Sequence, residues 1–558
     1  MFGACWLIFI QNKTLHNSVN MTTALDFKSF TGRQWENVGT AKRAGVLAPL
    51  FCLHSKLGVG IGEIPDLLLL ADWCEKTGIS MIQILPLNDT GWDFRPYDSQ
   101  SAFAIDPMYL RLSALKAAAV SPFKQKLADL AKEFSSPKRF VDYRVKSRKL
   151  ELLWQIFHHP RTDKKSSEFL NFMECEKSWL GAYAAFKVLK HIYQNKPWWL
   201  WPIHLRVYDP QAIEKELASL QGTVLFHKWL AWQTFTQLEE TVQKIRSKNI
   251  LVMADMPFLV SRDSADVWMN PRFFKLDREA GAPPDLYIAE GQRWGMPPYR
   301  WQEIEVDHFR YLKDRIRLMG RYAHLYRIDH FVGLCRLWCI SSDEPRATHG
   351  KNGAFDPADE SLWKKQAEGI LHAMIEASDM LPCAEDLGVV PDCAYEILND
   401  FQIPGSDVQR WMRDWKGDKH FKSPEDYRFL SMSSLSTHDM SSFPLWWTRE
   451  ATDEDKSFLL DWMKVSADEA HKSFPDFLEK VFEKVLSTKS VFSIHALQDW
   501  LGLSGDEEFF KADHRVNEPG TVQQTNWSVR APFSLEEMLL LPINAKIRRL
   551  IENSGRKV

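Results

Sequence analysis

The sequence predicts an α/β barrel, and three observations carry that expectation. Short apolar runs at 250–255 (ILVMAD), 325–330 (LYRIDH), 380–386 (MLPCAED) and 435–439 (LSTHD) each carry an acid toward their carboxyl end. Acids at the tips of successive strands point to one site at the carboxyl end of a parallel barrel. Helical stretches over 227–248, 307–321 and 361–378 lead into the first three runs, which is the helix–strand alternation of α/β folds. At 558 residues with 45% hydrophobic content, the chain can form either two or more domains or one large barrel with insertions.

From the amino end, residues 1–25 read as an extension without an assigned fold, and Met21 offers a second start. The apolar run 2–10 has no basic residue before it and no small-residue cleavage pattern after it, so it does not read as a secretory signal. Run 45–51 (GVLAPLF) reads as a buried strand. The next helix spans 64–76, with Pro65 in its first turn and Gly78 just past its end. Run 79–87 (ISMIQILPL) is the following strand, and a strand–helix–strand unit favours parallel pairing.

From about 115 to 229 the pattern changes to lysine-rich helical segments with an aromatic cluster, PWWLWP at 197–202. It reads as a helical subdomain inserted in a catalytic barrel that spans 26–558; an independent domain is the alternative. Beyond Asp439 the chain reads as mostly helical, with a loop at 515–521 (RVNEPGT) followed by Asn526-Trp527.

Charge and cysteine usage exclude several classes. The net charge is −3 with no long block of Lys or Arg, which argues against nucleic-acid and membrane-surface partners. No run is long enough to span a membrane. The eight cysteines include no CxxC pair, so reduced thiols in the cytoplasm are expected.

The segment that organises the chemistry is 325–331. On a strand, Arg327 and Asp329 share one face, two residues apart. A guanidinium beside a carboxylate keeps the acid ionised and oriented; a structural ion pair is the plain alternative. Asp329, Glu385 and Asp439 lie 56 and 54 residues apart, consistent with one or two strand–helix units each. Converging acids suit glycoside chemistry, where one carboxyl must be ionised and another protonated at the same pH. The rival is a metal site using Asp329, His330, His438, Asp439 and His324. Alternation along a strand sends Asp329 and His330 to opposite faces and disfavours it.

Aromatic content is the second clue. The 23 Trp and 34 Phe are mostly core, Trp229 and Trp232 included. Rings on loops beside Gly or Pro are better placed to stack on a sugar face, and Tyr97 and Trp294 are the two candidates.

Eight local patterns in this order resemble the amylomaltases, or disproportionating enzymes: LHSKLGVGIGE, RPYDSQSAFAIDPMYL, ADMPFLVSRDSADVW, GAPPDLYIAEGQRWGMPPYRW, YRIDHFVGL, AEDLG, STHDM and RVNEPGT. The resemblance covers about 45–527. It implies a (β/α)8 TIM barrel with helical insertions, a substrate-binding loop at about 280–301, no cofactor and no metal. It also implies a 4-α-glucanotransferase that acts on α-1,4-glucans such as maltooligosaccharides, glycogen or starch chains by a retaining double displacement. By the same resemblance Asp329 is the expected nucleophile, Glu385 the general acid and base, and Asp439 the residue that grips the sugar hydroxyls. Arg327, His438, Asp255 and Tyr97 are expected around the cleaved ring, and Gln292, Trp294 and Asn517 at more peripheral sugar positions. A monomer is the expected state. The chain departs from the family pattern at Leu286-Tyr287, where a Tyr-Phe pair is usual, and at Asp106, where Asn is usual. Neither departure touches the three acids.

Overall fold

The computed structural model describes residues 25, 27–119, 121–134, 139–285, 288–506 and 515–557. The extension expected over 1–25 lies outside these apart from Leu25, and so does the Leu286-Tyr287 pair.

Twelve strands occur among the described residues: β1 (Arg43–Leu47), β2 (Met81–Gln83), β3 (Leu251–Met256), β4 (Arg278–Ala282), β5 (Gln292–Arg293), β6 (Leu325–Ile328), β7 (Leu337–Ser341), β8 (Gly353–Asp356), β9 (Leu381–Ala384), β10 (Gly405–Val408), β11 (Ser431–Ser434) and β12 (Phe492–Ala496). Eight of them form one sheet in the order β10-β11-β12-β1-β2-β3-β6-β9, with every pairing parallel. The two ends of that ladder meet, since Ala384 N donates to Pro404 O at 2.7 Å and Ser406 Oγ to Ala384 O at 2.9 Å. Spatial order thus follows chain order around a closed ring, a (β/α)8 barrel.

Strands buried on both faces need continuous apolar runs, which is why β1, β3, β6 and β9 are legible in the sequence. The helix after β1 (Asp66–Thr77) begins just after Pro65 and stops at Gly78, whose φ of 82° supplies the left-handed cap. Other boundaries differ from expectation. The 45–51 strand ends at Leu47, because Pro49 opens a 3-10 turn at Leu50–Cys52, and the 79–87 run keeps only Met81–Gln83 as strand. The 227–248 helix begins earlier, at Gln221–Arg246. The 307–321 helix begins later, at Arg310–Met319, because His308 and Phe309, both at positive φ, separate it from a short preceding helix at Trp301–Val306.

Three barrel strands are not legible in the sequence. The run at 435–439 is not a strand; the strand is the preceding β11, with sequence SMSS. Its hydroxyls are satisfied across the ladder, Ser431 Oγ to Ser490 Oγ at 2.7 Å and Ser433 Oγ to Ser493 Oγ at 2.9 Å. The hydrogen bonds offset the cost of burying polar residues there. The other two are the short β10 and the isolated β12, which lies in a region that reads as helical. The β10–β11 crossover carries only 3-10 turns, Gln409–Trp411 and Pro424–Asp426, between its strands. Also unexpected is an antiparallel sheet, β5-β4-β7-β8, built from the segments after β3 and β6. It takes in part of the 280–301 segment expected to be a loop.

Between β2 and β3 come the helices Ser121–Glu133, Arg144–His158, Ser167–Cys175, Leu180–Ile192 and Pro210–Glu216. Trp229 is buried in the core as expected, whereas Trp232 is half-buried against it, stacked on Phe169 at 5.1 Å. Buried charges tie these helices to the loops after β1 and β2. Lys149 Nζ reaches Glu63 at 2.8 Å, and Arg111 binds both Glu63 and Asp66. Lys146 Nζ reaches Asp106 at 2.6 Å and Asp89 at 3.1 Å and donates to Gly91 O. Asp106 is the position where Asn is usual, and Lys146 is the cation it faces. Burial raises the Asp106 carboxyl to about 6, with Lys146 pulling the other way. Lys146→Met is expected to cost about 3–5 kcal/mol, because it strands buried carboxylate on one side of the pair. A thermal or urea midpoint unchanged from the parent would contradict this.

Candidate active site

The acids converge on the carboxyl rim of the barrel. Asp255 is the penultimate residue of β3, Asp329 and Glu385 directly follow β6 and β9, and Asp439 lies five residues past β11. Backbone bonds fix the first turn beyond each strand: Asp329 N donates to Met256 O at 3.2 Å and Glu385 N to Ile328 O at 3.1 Å. A cleft of about 700 Å³ opens there, lined by Tyr97, Gln292, Trp294, Arg327, Asp329, Glu385, Asp439 and Asn517 among others. A wider, shallower depression around Trp92, Phe94 and Tyr143 contains none of the acids.

Arg327 is the hub. Its Nη1 donates to both oxygens of Asp255 at 2.8 Å and to Asp329 Oδ1 at 3.1 Å, and its Nη2 lies 3.9 Å from Glu385 Oε2. The shared strand face of Arg327 and Asp329 is therefore realised. Asp255 is 2% exposed and does not line the cleft; both its oxygens face Arg327, and Oδ2 also accepts from Tyr97 OH at 2.8 Å. It acts on the cleft through those two residues.

Tyr97 in turn lies flat against the buried His438, 5.3 Å between centroids and 11° between planes, with Trp527 at 5.7 Å on a tilt. Tyr97→Phe keeps the stack and removes a hydrogen bond to a buried carboxylate, worth about 1.5–3 kcal/mol. We expect kcat/KM on maltotriose to fall about 10- to 150-fold by that energy with the circular dichroism spectrum unchanged; an unaltered kcat/KM would dismiss the hydroxyl.

Glu385 and Asp439 experience different fields. Burial pushes Glu385 up to about 8 against the pull of Arg327, and nearby Asp329 pushes in the same direction as burial. Its Oε2 accepts from His330 N at 2.7 Å. For Asp439 burial also pushes upward, but His438, Asn517 and Arg327 together outweigh it and hold the carboxyl well below the ordinary range. His438 Nε2 lies 3.2 Å from its Oδ2, and Asn517 Nδ2 donates to its Oδ1 at 2.7 Å. One acid is thus poised to give a proton at neutral pH and another to stay charged.

Gln292 and Trp294 come from and just beyond β5, joined by Trp294 Nε1 donating to Gln292 Oε1 at 3.1 Å. They meet the acids through His330, whose ring sits edge-on to Trp294 at 4.9 Å and 85°. The alternation argument that set Asp329 and His330 on opposite faces fails here. The strand ends at Ile328, His330 takes a φ of 47°, and both residues line the cleft. Burial holds its imidazole down at about 4, hence neutral at pH 7. Sequence reasoning missed His330 as the donor to Glu385; the only signal was its position one residue after Asp329. It also missed Arg515, whose Nη2 donates to Asp439 O at 3.1 Å.

A closed barrel whose rim gathers a raised carboxyl, a lowered carboxyl and half-buried aromatic rings around one cleft fits the class of carbohydrate-active enzymes. The sequence profile of the 4-alpha-glucanotransferases matches residues 48–535, and the chain belongs to that family. The 4-alpha-glucanotransferase of Chlamydia pneumoniae is 35% identical over 93% of this chain and 96% of its own. That of Thermus thermophilus is 30% identical over 87% and 94%. Among solved structures, the amylomaltase from Streptococcus agalactiae in complex with acarbose superposes with a TM-score of 0.78 at 24% identity, over 93% of this chain and all of that one. This last likeness speaks to the fold.

Proposed function

We propose that the chain transfers a segment of a 1,4-α-glucan to the 4-hydroxyl of an acceptor glucan or glucose by double displacement. Asp329 attacks the anomeric carbon while Glu385 protonates the departing oxygen. The same carboxylate of Glu385 then takes the proton from the acceptor hydroxyl as that oxygen displaces Asp329. Asp439, Asn517 and Tyr97 hold the distorted ring, and Arg327 donates to Asp329 and fixes its aim. Gln292 and Trp294 contact the sugar beyond.

The observation that carries this reading is the gathering of Asp329 and Glu385 on one guanidinium at the rim, Arg327 Nη1 lying 3.1 Å from Asp329 Oδ1 and Nη2 3.9 Å from Glu385 Oε2, with burial raising the Glu385 carboxyl. The family supports transfer over hydrolysis. The inserted helices belong to the same catalytic unit, and the seven described cysteines, all free thiols, suit a reducing cytoplasm. Incubation with maltotriose tests the activity: glucose together with maltopentaose and longer chains is the expected product set. Glucose and maltose alone would replace transfer by hydrolysis.

A further inference from the structure

The cleft carries a cation that a neutral glucan does not require. Arg336 lies between β6 and β7 and lines the cleft with Trp338, His349, Phe355 and Val389. Its guanidinium sits 3.8 Å from the Phe355 ring centroid and 4.6 Å from that of Trp363, and Nη2 donates to Val389 O at 3.1 Å. Stacking and that single bond fix its plane. Burial lowers its pKa, and the exposed Glu360 is the carboxylate that acts on it most. No ion pair to Arg336 occurs among the described residues. Of the other fully charged cations in the lining, Arg95 is paired with Asp93 and Asp98, Arg293 with Glu279, and Arg327 with Asp255 and Asp329. A rigidly held, half-buried guanidinium with spare N–H donors at a cleft wall is suited to a phosphate ester.

We infer that Arg336 makes the wall after Glu385 a subsite for an acceptor sugar bearing a phosphate monoester. Val389 is four residues beyond Glu385 in the same loop, and Arg336, Val389 and Glu385 line one cleft, so this wall adjoins the side of the cleft that Glu385 serves, where the acceptor sugar is placed. The inference rests on the transferase reading above. In the transfer step the acceptor O4 gives its proton to Glu385 and bonds to C1, and the C1–O bond to Asp329 breaks with its electron pair returning to that carboxylate. The phosphate ester is untouched.

The test measures transfer from maltoheptaose to glucose, to glucose 6-phosphate, to maltotriose and to maltotriose carrying a 6-phosphate on its non-reducing unit. At least one phosphorylated acceptor is expected to exceed its unphosphorylated counterpart in kcat/KM by about tenfold, the scale of one charge-assisted contact. Preference confined to glucose 6-phosphate identifies a free sugar phosphate, and preference extending to the trisaccharide identifies phosphorylated glucan chains. Arg336→Met and Arg336→Gln should bring the ratio of phosphorylated to plain acceptor down toward one; a purely structural role would lower both rates together and leave the ratio alone. Wild-type enzyme that favours neither phosphorylated acceptor, or variants that keep the preference, would overturn the inference. Absence of transfer to glucose itself would instead count against the transferase reading.

Discussion

Asp329→Asn is expected to lower turnover of maltotriose on the order of 10⁵-fold, the scale on which loss of a nucleophile acts, with maltooligosaccharide affinity close to that of the parent. The substitution keeps the side chain's shape, and its amide oxygen can still accept from Arg327, now 3.1 Å away. What disappears is the charge that forms the glycosyl ester. Arg327 retains Asp255 on its other side, so no uncompensated guanidinium is left to distort the rim. Steady-state kinetics beside calorimetric binding separates the two quantities. Turnover within tenfold of the parent would remove Asp329 from the mechanism.

Glu385→Gln should lower transfer from an ordinary glucan by about 10²–10⁴-fold, the usual contribution of a general acid. A maltosyl fluoride donor needs no leaving-group protonation, so with it the first step should survive and glycosyl-enzyme should accumulate at Asp329, visible by intact mass. In the parent, kcat/KM should fall as pH rises through about 8, where Glu385 loses the proton it must donate. A profile flat to pH 9.5 would contradict that assignment.

The same shift has a stability consequence of opposite sense to the usual carboxylate. The folded-state value, about 8, lies above the ordinary 4.5, so the folded protein binds more protons than the unfolded chain between those values. Stability from this group is present at low pH and is lost as pH climbs to about 8. Gln can still accept from His330 N and carries no charge to desolvate. Glu385→Gln is therefore expected to melt above the parent at pH 9 while being far less active, a trade of stability against function.

Much of the fold is legible because apolar runs with an acid at the tip, and helices bounded by Pro65 and Gly78, are local signals. The parts that are not legible are those whose cause is non-local. The serines of β11 are strand residues only because Ser490 and Ser493 stand opposite to accept their hydroxyl protons. The antiparallel sheet joins segments that are far apart in the chain, as where Ala280 on β4 stands opposite Cys339 on β7. Asp255 could be named but not placed, since its role behind the cleft depends on Arg327 and Tyr97 arriving from other strands and loops.

By itself the sequence determined the class of fold, the acids that gather on the rim and the pairing of Arg327 with Asp329, because each follows from residue spacing within one strand or from motif order. Only the tertiary structure decided what raises the Glu385 carboxyl and lowers that of Asp439, that His330 serves Glu385, and that Arg336 makes no ion pair among the described residues. Those properties are set by burial and by charges brought together from separate turns of the barrel, and a field that sums over such neighbours has no counterpart in the order of residues along the chain.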